Sequence, residues 1–197
     1  MSHFVGLVFG NDIENNLEPY YEGVVVEPYI RYTKEEAIAE SKTRIKETLE
    51  YLEQREPENK EKINKWKSYK TDEDFYEYAK KWGYDLDKEG NLISTYNPKS
   101  KWDWYVVGGR WDGYLPVGGY DTNQCSVSQV DWDNYFENHS APFCFVTTDG
   151  QWHEQGQMGW WGISEGDLDE NVWAREFKDY LNTVPDDCTV TVVDFHI

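Results

Sequence analysis

The sequence is short of cysteine and of positive charge, and each shortage excludes classes of function. Its three cysteines, Cys125, Cys144 and Cys188, are widely spaced and form no CxxC or Cys/His zinc pattern. An odd number without such spacing predicts neither a disulfide framework nor a structural zinc site, and it favours a reducing compartment. There are 19 basic residues against 38 acidic ones, a formal net charge of −19. Because phosphates are neutralised by clustered Lys and Arg, duplex DNA and anionic membranes are not expected as direct partners.

Long hydrophobic runs are lacking as well. The opening apolar segment, Phe4 to Phe9, is too short for a signal-peptide core or a membrane span, and no basic residue precedes it. We therefore expect a cytoplasmic protein. Apolar side chains are nonetheless plentiful, since the 197 residues include 10 Trp, 15 Tyr and 8 Phe. This length and content predict a single folded domain over residues 1–197 rather than a disordered acidic tail.

Hydrophobic periodicity predicts strands at both ends of the chain and helices between them. A capping box of Thr33 and Glu36 opens a helix that ends before Pro57, and Thr71 with Asp74 opens another. Further helices are predicted around residues 63–66 and over 168–181. Strands are predicted over 4–9, 24–32, 91–95, 143–148, 151–154 and 189–197, with Pro28 favouring a sheet edge and the pair 149–150 a two-residue hairpin turn.

These elements predict an α+β fold. The sheet is expected to be mixed and largely antiparallel, with a helical block at residues 33–83 that covers it or is inserted beside it, and with one C-terminal helix.

The acidic charge is concentrated in the second half of the chain. Residues 33–101 hold 15 basic and 16 acidic side chains, whereas residues 102–197 hold three basic and 17 acidic ones. Such an excess of carboxylates can imitate a nucleic-acid backbone and occupy the basic groove of a nucleic-acid-binding protein. The alternative is that the charge serves solubility alone.

Tryptophan, glycine and cationic residues come together between Asn97 and Trp111. Indole faces can stack on a planar base, a guanidinium makes forked contacts with phosphate, and glycines allow a close backbone approach. The sequence therefore predicts a ligand pocket, which the glycine-rich loop 151–163 helps to line. The candidate ligand-binding residues are Lys101, Trp102, Trp104, Tyr105, Arg110, Trp111 and Trp160. In the alternative interpretation, the aromatic residues belong to the core and Arg110 pairs with Asp103 or Asp112.

Histidines stand near both ends of the chain, where the first and last strands are predicted. If these strands pair antiparallel, His3 and His196 approach one end of the sheet, beside Asp194 on the face of His196. Such a group suits general acid–base catalysis or a site with two histidines and one carboxylate on a metal. We assign no metal, because HxH and HExxH spacings are absent. The candidate acid/base residues are His3, His153, Asp194 and His196, and the alternative is that they make structural hydrogen bonds at strand ends.

Four motifs are distinctive: the opening MSHF, the segment KWDWY followed by GGRW, the segment GWWG and the ending VDFHI. Together they resemble a family of uncharacterised bacteriophage and prophage proteins. Where such relatives carry a Cys before the last His, this chain has Phe195, which argues against a thiol or metal role at that position. The resemblance implies a phage or prophage origin.

Charge, motifs and resemblance lead to two hypotheses of different classes. Small acidic phage proteins often counter host defences, so the first hypothesis is a non-enzymatic anti-defence protein in the host cytoplasm. It would bind a host protein, such as a defence or nucleic-acid-binding protein, and need no cofactor. The second is a protein that binds a small nucleotide, as a sponge or a hydrolase, through the aromatic and arginine pocket. A charge-driven interface weakens with ionic strength more than an enclosed ligand does, which separates the two.

Overall fold

The computed structural model describes residues 2–159 and 163–197 and divides into two compact units. The first unit is formed by Met1–Val24 and Asn97–Ile197, and the second by Val25–Tyr96. The sequence predicts one domain with a helical block at residues 33–83. In the structure that block belongs to the second unit, which also has a sheet of its own.

Helices and strands alternate irregularly along the described residues. In chain order, the helices are α1 (Ile13–Leu17), α2 (Lys34–Arg55), α3 (Lys60–Lys67), α4 (Asp72–Ala79), α5 (Trp132–Asn138) and α6 (Glu170–Leu181). The strands are β1 (His3–Phe9), β2 (Val25–Tyr32), β3 (Asp85–Leu86), β4 (Leu92–Tyr96), β5 (Trp104–Val107), β6 (Leu115–Val117), β7 (Tyr120–Thr122), β8 (Gln124–Ser126), β9 (Cys144–Val146), β10 (Trp152–Glu154), β11 (Gln157–Met158), β12 (Ser164–Glu165) and β13 (Thr189–His196). Short 3₁₀ turns lie at Glu18–Tyr20, Lys80–Trp82, Gly109–Trp111 and Val127–Gln129. Among the described helices, none has the length and hydropathy that crossing a bilayer requires.

A mixed sheet forms the centre of the first unit. Its strands follow the order β10-β9-β1-β13-β5, and β8 also pairs with β13. β1 runs parallel to β9, and the other pairs are antiparallel. The fold is therefore α+β with a mixed, largely antiparallel sheet, as the sequence predicts.

Both faces of this sheet are buried, which explains the near-continuous apolar sequences of β1 and β13. On one face, Leu7 and Phe145 pack against Trp173 of α6, and the Trp173 indole donates to the Pro142 carbonyl at 2.7 Å. We call this the α6 face. The opposite face carries Phe4 and Phe195. It is completed by Val8, Leu17, Trp102, Cys144, Val146 and Val193.

The second unit follows its local sequence signals closely. Capping boxes of Thr33 with Glu36 and of Thr71 with Asp74 open α2 and α4, as predicted. Gly83 ends the following 3₁₀ turn with φ +90°, a conformation that glycine adopts without strain. The sheet order is β2-β4-β3, so the strand that contains Pro28 lies at an edge. α2 and α4 bury Ala37, Tyr76, Ala79 and Leu92 in a separate core.

One local prediction differs from the structure, and several short elements are not predicted. The hairpin of β9 and β10 forms, but Thr147 N–H donates to the Gln151 carbonyl at 2.9 Å, which leaves a three-residue turn in place of the predicted two. Gly150, at φ +78°, supplies the left-handed position that such turns require. The short helices α1 and α5 and the strands β3, β5 to β8, β11 and β12 are not predicted. They have two to seven residues each, too few for a periodic pattern to mark them.

Candidate functional site

His3 and His196 meet at one end of the central sheet. β1 and β13 pair antiparallel, and their register sets His3 opposite His196. The ring centroids are 5.0 Å apart, with the planes at 73°. Since side chains alternate along a strand, His3, His196 and Asp194 all lie on the α6 face of the sheet. The sequence predicts that His3 lies near His196 on the condition that the first and last strands pair antiparallel, and the structure confirms that pairing.

Each imidazole is held by its own aspartate. His3 Nδ1 lies 2.8 Å from Asp194 Oδ1, and His196 Nδ1 lies 2.6 Å from Asp103 Oδ1. The side chains of His196 and Asp194 are 5% and 3% exposed, whereas those of His3 and Asp103 are 11% and 29% exposed, so each contact has one partner that is shielded from water. We call His3, Asp103, Asp194 and His196 the His–Asp cluster.

Both oxygens of Asp194 are engaged. Oδ1 contacts His3, and Oδ2 accepts the backbone N–H of Arg110 at 3.0 Å. Gly109 makes this second contact possible, because it has φ +58° and a Cβ there would lie 2.5 Å from Asp194 Oδ2. The glycine pair before Arg110 thus lets the 3₁₀ turn approach β13 closely enough to bind the carboxylate.

The ring nitrogens that do not contact an aspartate, Nε2 of His3 and Nε2 of His196, decide which proton transfers the cluster can make. A carboxylate accepts hydrogen bonds, so Nδ1 of each ring is the nitrogen that carries a proton, and in a neutral imidazole Nε2 is then a proton acceptor. Nε2 of His196 is buried and has no hydrogen-bond partner among the described residues. Buried polar atoms are rarely left unpaired in folded proteins, and those that are often serve a function.

Trp104 covers the cluster. Its indole stacks on the His196 ring, with centroids 4.9 Å apart and planes at 18°, and its edge-on contact with His3 has a centroid distance of 5.3 Å. Trp104 nevertheless remains 43% exposed. It belongs to β5, at the edge of the sheet, and pairs in register with His196.

The other predicted ligand-binding residues do not all join Trp104. Trp102 and Tyr105 pack on the opposite face of the sheet, where the Trp102 Nε1–H donates to the Leu17 carbonyl at 3.2 Å. Lys101 forms an ion pair with Glu154. The structure therefore divides the predicted pocket between two faces, and Trp102 is a core residue as the alternative interpretation holds.

Arg110 and Trp111 lie in the 3₁₀ turn beside Asp194. Trp111 packs against the core of the α6 face. Arg110 is exposed, and within residues 2–159 and 163–197 its guanidinium has no ion pair or hydrogen bond. It does not pair with Asp103, which binds His196, or with Asp112, which accepts from Asn123. Trp160, the remaining candidate, lies outside the described residues.

His153 lies apart from the cluster. It is on β10 opposite Phe145, which is opposite Leu7 on β1, so it stands four residues along the sheet from His3. Its ring stacks on Phe145 at 4.7 Å, and Nδ1 lies 3.2 Å from Glu176 Oε1. Of the predicted acid/base residues, the structure brings His3, Asp194 and His196 together.

Asp103 belongs to the cluster, although the sequence pattern indicates it only as a partner of Arg110. Its backbone N–H donates to the His196 carbonyl at 3.0 Å, which fixes it next to that ring. The signal that could have found it is the strand-like segment 104–107, since pairing this strand with the last one places Asp103 beside His196.

No group of three or more His, Cys, Asp or Glu side chains in the part of the chain that the structure describes is arranged to hold a metal ion. Comparisons with protein-family models, with curated proteins and with solved structures find no match to this chain.

Proposed function

We propose that the His–Asp cluster is a general acid–base site that acts on a small nucleotide-like ligand. The observation that carries this proposal is the buried, unpartnered Nε2 of His196 beside a second imidazole, each ring being fixed through Nδ1 by an aspartate within the described residues. One histidine can act as the general base and the other as the general acid, because imidazole takes up and gives off protons near neutral pH.

The chemistry that fits is cleavage of a phosphoester. Neutral His196 takes a proton at Nε2 from water or a ligand hydroxyl as that oxygen bonds to phosphorus. Protonated His3 gives its proton to the leaving oxygen as the second phosphorus–oxygen bond breaks. The aspartates keep each ring in the required tautomer and stabilise the imidazolium, and such proton transfer contributes roughly 10²- to 10⁴-fold to the rate.

Trp104 and Arg110 support a nucleotide-like ligand. A partly exposed indole offers a surface on which a base stacks, and a guanidinium free of other contacts in the described residues suits a phosphate. Arg110 is one of five basic residues in a unit with 21 acidic ones, so this unit offers an anionic ligand few other cationic side chains. Since Nε2 of His196 is buried, the side chains around it must move before a ligand reaches it.

The test combines turnover with histidine resonances. Bis(4-nitrophenyl) phosphate and 2′,3′-cyclic AMP serve as probes, and the long-range ¹H–¹⁵N spectrum reports on the imidazoles. We expect hydrolysis that falls at least 100-fold in His196→Asn and in His3→Asn. His139→Asn is the matched control, because His139 contacts Tyr114 and Tyr135 instead of the cluster. Absence of turnover together with unshifted His3 and His196 resonances would overturn the proposal.

The charge of the first unit favours a second function. This unit carries 21 of the 38 acidic residues and five of the 19 basic ones. We propose that it can also act as an anti-defence protein in the cytoplasm of an infected bacterium, binding a basic host protein through the acidic side chains of this unit. Long-range attraction of this kind accelerates association at low salt.

Ionic strength distinguishes the two functions. Native mass spectrometry after incubation with host lysate is expected to show a bound protein that dissociates as salt is raised. Added mass of a few hundred daltons that survives salt would support the nucleotide ligand instead. A retained protein that withstands high salt would contradict charge-driven binding.

A further inference from the structure

A cavity of about 400 Å³ opens between α5 and α6, and the His–Asp cluster does not contribute to it. Its apolar lining comes from Trp132 and Phe136 of α5, Leu181 of α6 and the nearby Val127 and Val184. Val127 and Val184 are buried and the aromatic rings are partly so. The volume is within the range of pockets that hold small molecules.

Three exposed, charged side chains of both signs lie at the open rim of the same cavity. They are Lys178, Asp133 and Asp186. Lys178 Nζ lies 4.2 Å from the centre of the Phe136 ring. In the part of the chain that the structure describes, neither aspartate forms an ion pair with Lys178 or with any other cation.

Opposite charges that share a cavity without pairing fit a ligand that bears both signs. A purely anionic ligand would be opposed by the two carboxylates, and a purely cationic one by Lys178. Burial of an apolar group against the aromatic and aliphatic lining is also favourable in free energy.

We propose that this cavity binds a free α-amino acid with a large apolar side chain. Lys178 holds the ligand carboxylate, Asp133 and Asp186 hold its ammonium group, and the side chain packs on Trp132 and Phe136. The site is independent of the acid–base function, so either can fail without the other.

Three probes with the same side chain test the charge requirement. They are L-phenylalanine, N-acetyl-L-phenylalanine, which lacks the ammonium group, and L-phenylalaninamide, which lacks the carboxylate. Calorimetric titration of the full chain is expected to give binding of L-phenylalanine at least tenfold tighter than of either analogue. Equal or tighter binding of the acetylated probe would overturn the proposal in favour of a peptide C-terminus. Absence of saturable binding for all three would overturn it outright.

Variants locate the binding. Lys178→Met and Asp133→Asn are each expected to weaken L-phenylalanine binding at least tenfold. Arg175→Met is the matched control, because Arg175 is exposed on the same helix and does not line the cavity. A thermal melt of each variant checks the fold, and Asp133→Asn keeps the test decisive if Lys178→Met is unstable. Unchanged binding in both folded variants would place the ligand elsewhere and contradict the proposal.

Discussion

His3 and His196 face each other across β1 and β13 with their ring centroids 5.0 Å apart, and each is bound to a different aspartate. The two aspartates come from different parts of the chain, Asp103 before β5 and Asp194 within β13. Since each ring has its own carboxylate partner, one histidine can be altered without removing the orienting contact of the other. The role of each histidine can therefore be tested by a single substitution.

Asp194→Asn is expected to destabilise the first unit by roughly 1–3 kcal/mol, because one of the two donors that the buried Asp194 carboxylate accepts from, His3 Nδ1 or Arg110 N–H, then faces an amide N–H₂ group. Chemical denaturation measures the change. Asp121→Asn is the control, since Asp121 is exposed, and it should alter stability by less than about 0.5 kcal/mol. Equal stability of the two variants would show that the contacts of Asp194 contribute little.

Gly109→Ala and Gly118→Ala separate backbone strain from steric conflict. Both glycines have positive φ, +58° and +46°, but a Cβ at Gly109 meets Asp194 Oδ2 at 2.5 Å, whereas one at Gly118 has no atom within 4 Å. Gly118→Ala should cost about 1–2 kcal/mol from its left-handed backbone alone. Gly109→Ala should cost roughly 1–3 kcal/mol more, because β13 and the 3₁₀ turn must move apart. The two urea midpoints give the comparison, and coincident midpoints would contradict the predicted close approach.

Arg110→Ala is expected to abolish binding of 2′,3′-cyclic AMP while leaving the fold intact. Asp194 binds the backbone N–H of Arg110, which alanine retains, and the guanidinium has no partner in the described residues. Calorimetric titration measures the binding, and circular dichroism checks the fold. Arg175→Ala serves as a charge-matched control. If Arg110→Ala unfolds the protein, the side chain is structural and the anion-binding role is wrong.

Cys144 is expected to resist alkylation in the folded protein. Burial raises the pKa of its thiol well above the ordinary value, and the Glu154 carboxylate raises it further. A raised pKa leaves less thiolate at neutral pH, and the thiolate is the reactive species. Burial also raises the pKa of Cys125 and Cys188, but both are partly exposed, so they should react first with iodoacetamide. Peptide mass spectrometry measures the three rates, and native labelling of Cys144 as fast as Cys125 would contradict the buried position.

Local patterns in the sequence are sufficient for much of the fold. The capping boxes at Thr33 and Thr71, the stop at Gly83 and the apolar first and last strands are short-range signals, and the structure contains each of them. The sequence alone reveals them because helix termini and buried strands are specified by residues that are close together in the chain. The α+β class follows from the order of these elements.

The composition of the site was decided by tertiary structure. Trp102 and Trp104 are two residues apart and would share a face of one continuous strand. They lie on opposite faces because the chain bends at Asp103 and β5 begins only at Trp104, while Trp102 pairs with Tyr21 instead. The register of β5 against β13 sets Trp104 beside His196, and a shift of one residue would turn Trp104 to the opposite face. Asp103 likewise reaches His196 through that pairing. The sequence by itself determined the first and last strands of the chain and that His3 and His196 stand near their ends. The long-range register between strands, which no local pattern encodes, decided which carboxylates and which indole surround them.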